Sequence, residues 1–140
     1  MKKKLFKASS AFISTLPLFE DIRGSLSFAE VNKHVPFNIK RCFWISNVPE
    51  NTSRGGHAHK NDHQYLICAA GKISIEVFYF HEKLLVNLEG PNMVLYLPPL
   101  TWNNLLSFSS NATLIALSSN EFNEDDYIDD FNIYLTLDKK

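Results

Sequence analysis

The sequence contains only two cysteines, Cys42 and Cys68, too few for a disulfide framework. Both sit in apolar, strand-like runs, where a free cysteine acts as a small hydrophobe, and the expected compartment is a reducing cytoplasm. Five glycines and six prolines in 140 residues exclude collagen-like and low-complexity classes. Long apolar runs are also missing, and nothing approaches the roughly 18 residues of a membrane-spanning helix. The basic stretch from Met1 to Lys7 is followed by apolar residues broken by Ser9, Ser10, Ser14, Thr15 and Pro17, a poor secretory core. Nor is there an excess of charge of one sign. Fourteen Lys and Arg stand against fifteen Asp and Glu, a formal net charge of -1. No overall field draws the chain to nucleic acid or to an anionic membrane, so any bound anion must be held locally.

What is present is a composition for burial: 45% hydrophobic and 13% aromatic residues, in a length suited to one domain spanning residues 1–140. Short β-branched and aromatic runs alternate with turn signals. Ser25–Glu30 follows Asp21-Ile22-Arg23-Gly24, Lys40–Ser46 precedes a loop over 48–56, and Gln64–Ala69 precedes Ala70-Gly71-Lys72. In Lys72–Tyr79, Ile73, Ile75 and Val77 share one face and Ser74, Glu76 and Phe78 the other, the pattern of a strand with a buried side. Leu84–Leu88, Met93–Leu97 and Thr113–Ser118 have the same character. Turn signals about 8 to 12 residues apart predict an all-β fold, a small barrel or double-sheet jelly roll. The acidic cluster from Glu121 to Asp130 lacks Gly and Pro and predicts a short helical turn near the C-terminus, with a solvated surface as its simplest role.

The chemistry concentrates in Arg54-Gly55-Gly56-His57-Ala58-His59-Lys60. Two histidines at i and i+2 on a strand project from one face about 7 Å apart and can converge on one ligand. This stretch resembles the first signature of the cupin superfamily, Gly-x-His-x-His with an acidic ligand and then a glycine downstream. His57, His59 and Gly71 match, and Gln64 stands in the acidic position. The second cupin signature aligns with Pro98–Asn103, without its glycine or its histidine. Two of the usual metal ligands are thereby replaced by neutral amides, and the site is expected to hold no metal. His63 falls after the turn formers Asn61-Asp62 and is expected near the rim. Two imidazoles without a metal suit proton transfer near neutral pH.

Over most of its length the chain also resembles one cupin group, the nucleotide-sugar 3,4-ketoisomerases of bacterial surface-polysaccharide (lipopolysaccharide, O-antigen) pathways. The resemblance is carried by Asp21–Leu26, Phe37–Arg41, Asn47–Glu50, Arg54–Lys60 with Gln64, Tyr96–Pro99 with Trp102, and Glu124–Ile128. It implies a cytoplasmic homodimer of jelly-roll barrels that binds a dTDP-linked 4-keto-6-deoxy sugar and converts it to the 3-keto isomer with no cofactor. His57 and His59 match the catalytic histidines of the group. Arg23, Arg54 and Lys60 are the candidates for the diphosphate, and Gln64 and Ser46 the further candidates for substrate contacts. Trp44 and Ser46 stand where the group usually carries tyrosines, one of which moves a proton between O3 and O4. Trp102 is placed either against the sugar or base or in barrel packing. Beside the isomerase stand three alternatives: a nucleotide-sugar-binding barrel without turnover, a related sugar epimerase, and a metal-dependent oxygenase.

Overall fold

The structure is a computed structural model that describes residues 2–139. Its strands are β1 (Lys2–Lys4), β2 (Phe12–Thr15), β3 (Leu18–Asp21), β4 (Gly24–Ser27), β5 (Arg41–Ser46), β6 (Arg54–His59) and β7 (Gln64–Ala70). They continue with β8 (Lys72–Tyr79), β9 (Glu82–Glu89), β10 (Met93–Leu97), β11 (Trp102–Phe108), β12 (Thr113–Ser118) and β13 (Tyr127–Ile128). A 3₁₀ turn at Glu124–Asp126 precedes β13, and a six-residue helix α1 (Phe131–Thr136) follows it. One sheet runs β1-β2-β10-β7-β12-β5, a second runs β13-β6-β11-β8-β9, and β3 with β4 forms a separate hairpin. Neighbouring strands pair antiparallel throughout.

The two sheets bury a shared core. Ile73, Ile75 and Val77, on the face expected from their alternation, are at most 1% exposed and meet Leu66, Cys68, Leu95, Leu105 and Leu114. Each fully buried aliphatic side chain of this kind stabilises the fold by about 1.5–3 kcal/mol relative to exposure. The jelly roll read from the sequence is this architecture. β8, β10 and β12 have the expected bounds; β9 extends further at both ends.

Two further apolar layers lie outside the core. On the outer face of the six-stranded sheet, Phe12, Tyr65, Val94 and Tyr96 are covered by Ala29, Val35 and Phe37. Behind β6, Ala58 packs with Phe80, Trp102, Ile128 and Tyr134. A helix of six residues is too short to persist alone. Here Asp130 caps it, its carboxylate accepting from Asn132 N and Ile133 N, and buried Tyr134 anchors it. The Tyr134 hydroxyl accepts from Phe80 N at 2.9 Å and lies 2.8 Å from Leu100 O and 3.1 Å from Phe78 O. Trp102 therefore belongs to packing under α1, where its ring meets Phe131 and Tyr134 at 5.1 and 5.5 Å. Among the described residues, no helix is long and apolar enough to cross a membrane.

Candidate active site

Strand alternation separates the histidines from the packing behind them. Ala58 faces α1, and His57 and His59 face the interior, their ring centroids 5.0 Å apart. The strand reaches this position through two glycines with positive φ. At Gly55 (φ +81°) a Cβ would also stand 3.1 Å from both Asn103 O and Asn103 Oδ1, so the β6–β11 approach requires the missing side chain. Gly71 has a like reason: at φ +73° its Cβ would meet the Ala112 backbone at 2.7 Å.

His57 opens onto a cavity of about 160 Å³ whose lining includes Phe43, Ile45, Arg54, Gln64, Asn103 and Tyr127. Larger surface hollows, among them one of about 440 Å³ beside Phe12, His34 and Tyr65 and one of about 600 Å³ beside Asn47 and Phe108, are lined by neither His57 nor His59; the smaller cavity is the candidate site because His57 lines it. Burial, reinforced by the neighbouring His59, lowers the His57 imidazole to about 4, so the ring is neutral at physiological pH.

His59 is held differently. Its Nδ1 lies 3.0 Å from Asp126 Oδ2, and its Nε2 is buried without a hydrogen-bond partner among the described residues. An ionised carboxylate can only accept, so it fixes the tautomer with the proton on Nδ1 and leaves Nε2 as a bare acceptor. Burial lowers the His59 pKa, while Asp126 and Asp62 oppose that shift. Asp126 reaches this place because Asn123 caps the 3₁₀ turn and because the carboxylate also accepts from Asn61 N at 2.7 Å and Asp62 N at 3.3 Å. β13 then pairs Tyr127 with His59 and Ile128 with Ala58. The Tyr127 ring contacts both imidazoles, with centroids 4.9 Å from His57 and 4.5 Å from His59.

A second carboxylate braces the next loop. Buried Asp62 accepts from Arg41 Nη2 at 3.0 Å and Gln64 Nε2 at 3.3 Å on one oxygen, and from Ser119 Oγ and Asn120 N at 3.1 Å on the other. Ligand-type atoms of His59, Asp62 and Asp126 lie within 4.8 Å of one another. Every carboxylate oxygen in that group already accepts a hydrogen bond, and a cation would have to displace those donors. At the cupin ligand positions the cavity offers Gln64 and Asn103, neutral amides with weak affinity for a divalent ion. The donor set does not fit a divalent metal.

Of the residues expected at the site, His57, Gln64 and Arg54 line the cavity and His59 lies directly behind His57. Four do not join them. Lys60 is exposed beyond the end of β6. Arg23 sits on the β3–β4 hairpin, ion-paired to Asp21, with its side chain 86% exposed. Ser46 and Trp44 are exposed on β5, whose cavity-lining residues are Phe43 and Ile45; the strand's two-residue period sends the expected pair to the opposite face. His63 belongs to the outer layer of the six-stranded sheet, its Nδ1 2.7 Å from Tyr96 Oη and its ring near Phe37. The candidate residues absent from the sequence reading are Asp126, Tyr127 and Asp62. A signal for the first two was present in Glu124–Ile128, but an acidic run reads as solvated surface until its neighbours are known.

Comparison with known proteins bears directly on this arrangement. The family model described as FdtA: WxcM-like, C-terminal matches residues 9–139. The chain belongs to this family. It is 36% identical over 118 residues to the TDP-4-oxo-6-deoxy-alpha-D-glucose-3,4-oxoisomerase of Aneurinibacillus thermoaerophilus, covering 82% of this chain and 85% of that protein. The TDP-quinovose 3,4-ketoisomerase WlaRB of Campylobacter jejuni superposes with a TM-score of 0.86 at 34% identity, covering 94% of this chain and 99% of the other. QdtA, a sugar 3,4-ketoisomerase from Thermoanaerobacterium thermosaccharolyticum solved in complex with TDP, gives a TM-score of 0.86 at 32% identity over 90% of this chain and 92% of that one.

Proposed function

We propose that this member of the FdtA family is an isomerase that converts a TDP-linked 4-keto-6-deoxy sugar into its 3-keto isomer. The observation that carries the reading is His57 at the cavity with His59 against it and held by Asp126, in a chain whose relatives are named 3,4-ketoisomerases. A cavity of about 160 Å³ is below the roughly 300–1,000 Å³ of whole-ligand pockets, so it takes the sugar ring and leaves the nucleotide outside. Arg54 stands at that cavity, positioned to meet the diphosphate. Arg23 and Lys60 do not reach the cavity within one chain.

The carbonyl at C4 makes the C3 hydrogen acidic, because the electron pair left behind is shared with O4 as an enolate. An imidazole takes that proton, an enediol forms between C3 and C4, and a proton returned to C4 completes the carbon part of the exchange. His57 contributes a ring already neutral. His59 contributes the unpaired Nε2, with Asp126 stabilising the imidazolium that forms when it accepts a proton. None of these steps calls on a cofactor.

A homodimer completes the proposal. Phe19, Ile22 and Leu26 on the β3–β4 hairpin, with Trp44 on β5, are between 59% and 103% exposed. Apolar surface of this extent is costly in water and suits a second copy of the chain. A cytoplasmic enzyme supplying a sugar for surface polysaccharide fits the substrate class.

Proton NMR of the chain with TDP-4-keto-6-deoxyglucose in deuterated buffer tests the activity, with conversion to the 3-keto sugar expected. His57→Asn and His59→Asn should each lower turnover by about 10²–10⁴-fold with TDP binding retained. Unchanged turnover in both variants would remove the reading.

A further inference from the structure

Moving the carbonyl from C4 to C3 requires more than the carbon-bound proton. The hydroxyl proton on O3 must leave as that oxygen becomes a carbonyl, and a proton must arrive on O4 as that oxygen becomes a hydroxyl. The two oxygens are neighbours on the ring, so one group that donates to O4 and accepts from O3 serves both needs. Such a group must carry a proton and a lone pair on one atom.

The cavity is nearly bare of such groups. Phe43, Ile45, Leu66, Leu105 and Leu114 are apolar, and Arg54 has no acceptor. Gln64 directs its Nε2 into the Asp62 and Ser118 network. The sole hydroxyl among the described lining residues is that of Tyr127. Strand pairing sets Tyr127 opposite His59, and its ring lies against both imidazoles, next to any carbon whose proton they handle.

Building on the isomerase reading, we infer that Tyr127 is a catalytic residue, relaying the hydroxyl proton from O3 to O4 while the histidines move the carbon-bound proton. As the C3 proton leaves, the C3–H electron pair becomes the C3=C4 bond and the C4=O pair moves onto O4, which takes the phenolic proton. The Tyr127 oxygen then accepts the O3 proton, the O3 electrons form the C3 carbonyl, and the C3=C4 pair takes a proton at C4. Tyr127 ends as it began, and no oxidant or reductant is needed.

The test compares wild type with Tyr127→Phe, which keeps the ring against the histidines and removes only the oxygen. Both are followed by proton NMR with TDP-4-keto-6-deoxyglucose in deuterated buffer, scoring the loss of the C3 hydrogen signal separately from the appearance of the 3-keto sugar. TDP affinity is measured by calorimetry alongside. The expected result is TDP affinity close to wild type, conversion lowered by about 10²-fold, and conversion falling more steeply than C3 exchange. Conversion by Tyr127→Phe at the wild-type rate overturns the inference. Equal slowing of exchange and conversion also overturns it, because that is the effect of a displaced histidine. A wild-type chain inert toward this sugar in both readouts overturns the isomerase reading and the role of Tyr127 together.

Discussion

Replacing Asp126 by Asn changes one atom and reverses the logic of the dyad. The carboxylate now accepts from His59 Nδ1 at 3.0 Å, from Asn61 N at 2.7 Å and from Asp62 N at 3.3 Å. An amide in the same place keeps a single acceptor, best used by Asn61 N. Its NH₂ is then turned toward the Asp62 N–H and the His59 ring. The first meeting leaves a buried donor facing a donor, at a cost of about 1–3 kcal/mol. The second forces His59 Nδ1 to accept, which moves the ring proton to Nε2 and removes the bare acceptor there. The opposing pull of Asp126 on the His59 pKa is lost as well, so the imidazolium becomes harder to form. Turnover is expected to fall by about 10²–10⁴-fold. The melting temperature should drop by roughly 3–10 °C for a chain of this size. TDP affinity should stay close to wild type, because the carboxylate is buried behind the imidazoles and is absent from the cavity lining. Stopped turnover assays, calorimetric titration and thermal unfolding on the same preparations separate these effects. Turnover within twofold of wild type would refute the argument that Asp126 sets the state of His59.

The acid dependence of stability and activity follows from His57. With its folded value lowered to about 4 from an ordinary 6.5, the unfolded chain binds a proton that the folded chain refuses between those limits. Stability should therefore be complete above about pH 6.5 and decline as the pH falls toward about 4. The decline is at most about 3 kcal/mol and roughly half that after allowance for the ring's partial exposure. Urea unfolding of wild type and His57→Asn across this range should show a shallower acid loss in the variant. Equal slopes would remove the assignment. The acid limb of kcat/KM should likewise lie below the ordinary histidine range, near pH 4 to 5, in a rate profile. Tyr134→Phe should cost about 1–3 kcal/mol by stranding the Phe80 N–H and two carbonyls, with a fall of several degrees in melting temperature and intact TDP binding. An unchanged melting temperature would show that α1 is not held by that hydroxyl.

The fold was legible wherever one face of a strand is buried, because alternation then carries both the element and its orientation. Ile73, Ile75 and Val77 are the clear case. β2 and β3 carry little signal because their runs are only four residues long, and in β11 the polar residues Asn103, Asn104 and Ser107 blur the pattern. The histidine pair was legible from its spacing and flanking glycines. What spacing could not supply was parity on β5: a one-residue difference in register exchanges Phe43 and Ile45 for Trp44 and Ser46, and local sequence does not say which pair faces inward. The reach of the 123–128 segment was equally hidden. Its acidic residues have the composition of a solvated face, and the Asn123 cap, the 61–62 backbone donors and the β13–β6 pairing together turn one of them toward His59.

The His59–Asp126 contact beside that pairing joins residues 67 positions apart, so the parts of the site emerge at different times in synthesis. A nascent polypeptide that has emerged only as far as β12 already possesses both sheets' central strands and both histidines. It has no carboxylate for His59 Nδ1, no phenol against the rings, and an uncovered patch around Ala58. Chemical competence thus arrives as a late event in synthesis, once residues 126–128 have emerged. A product truncated before Asp126 would carry both histidines without the carboxylate at His59 Nδ1, the phenol against the rings or the Ile128 and Tyr134 packing over Ala58.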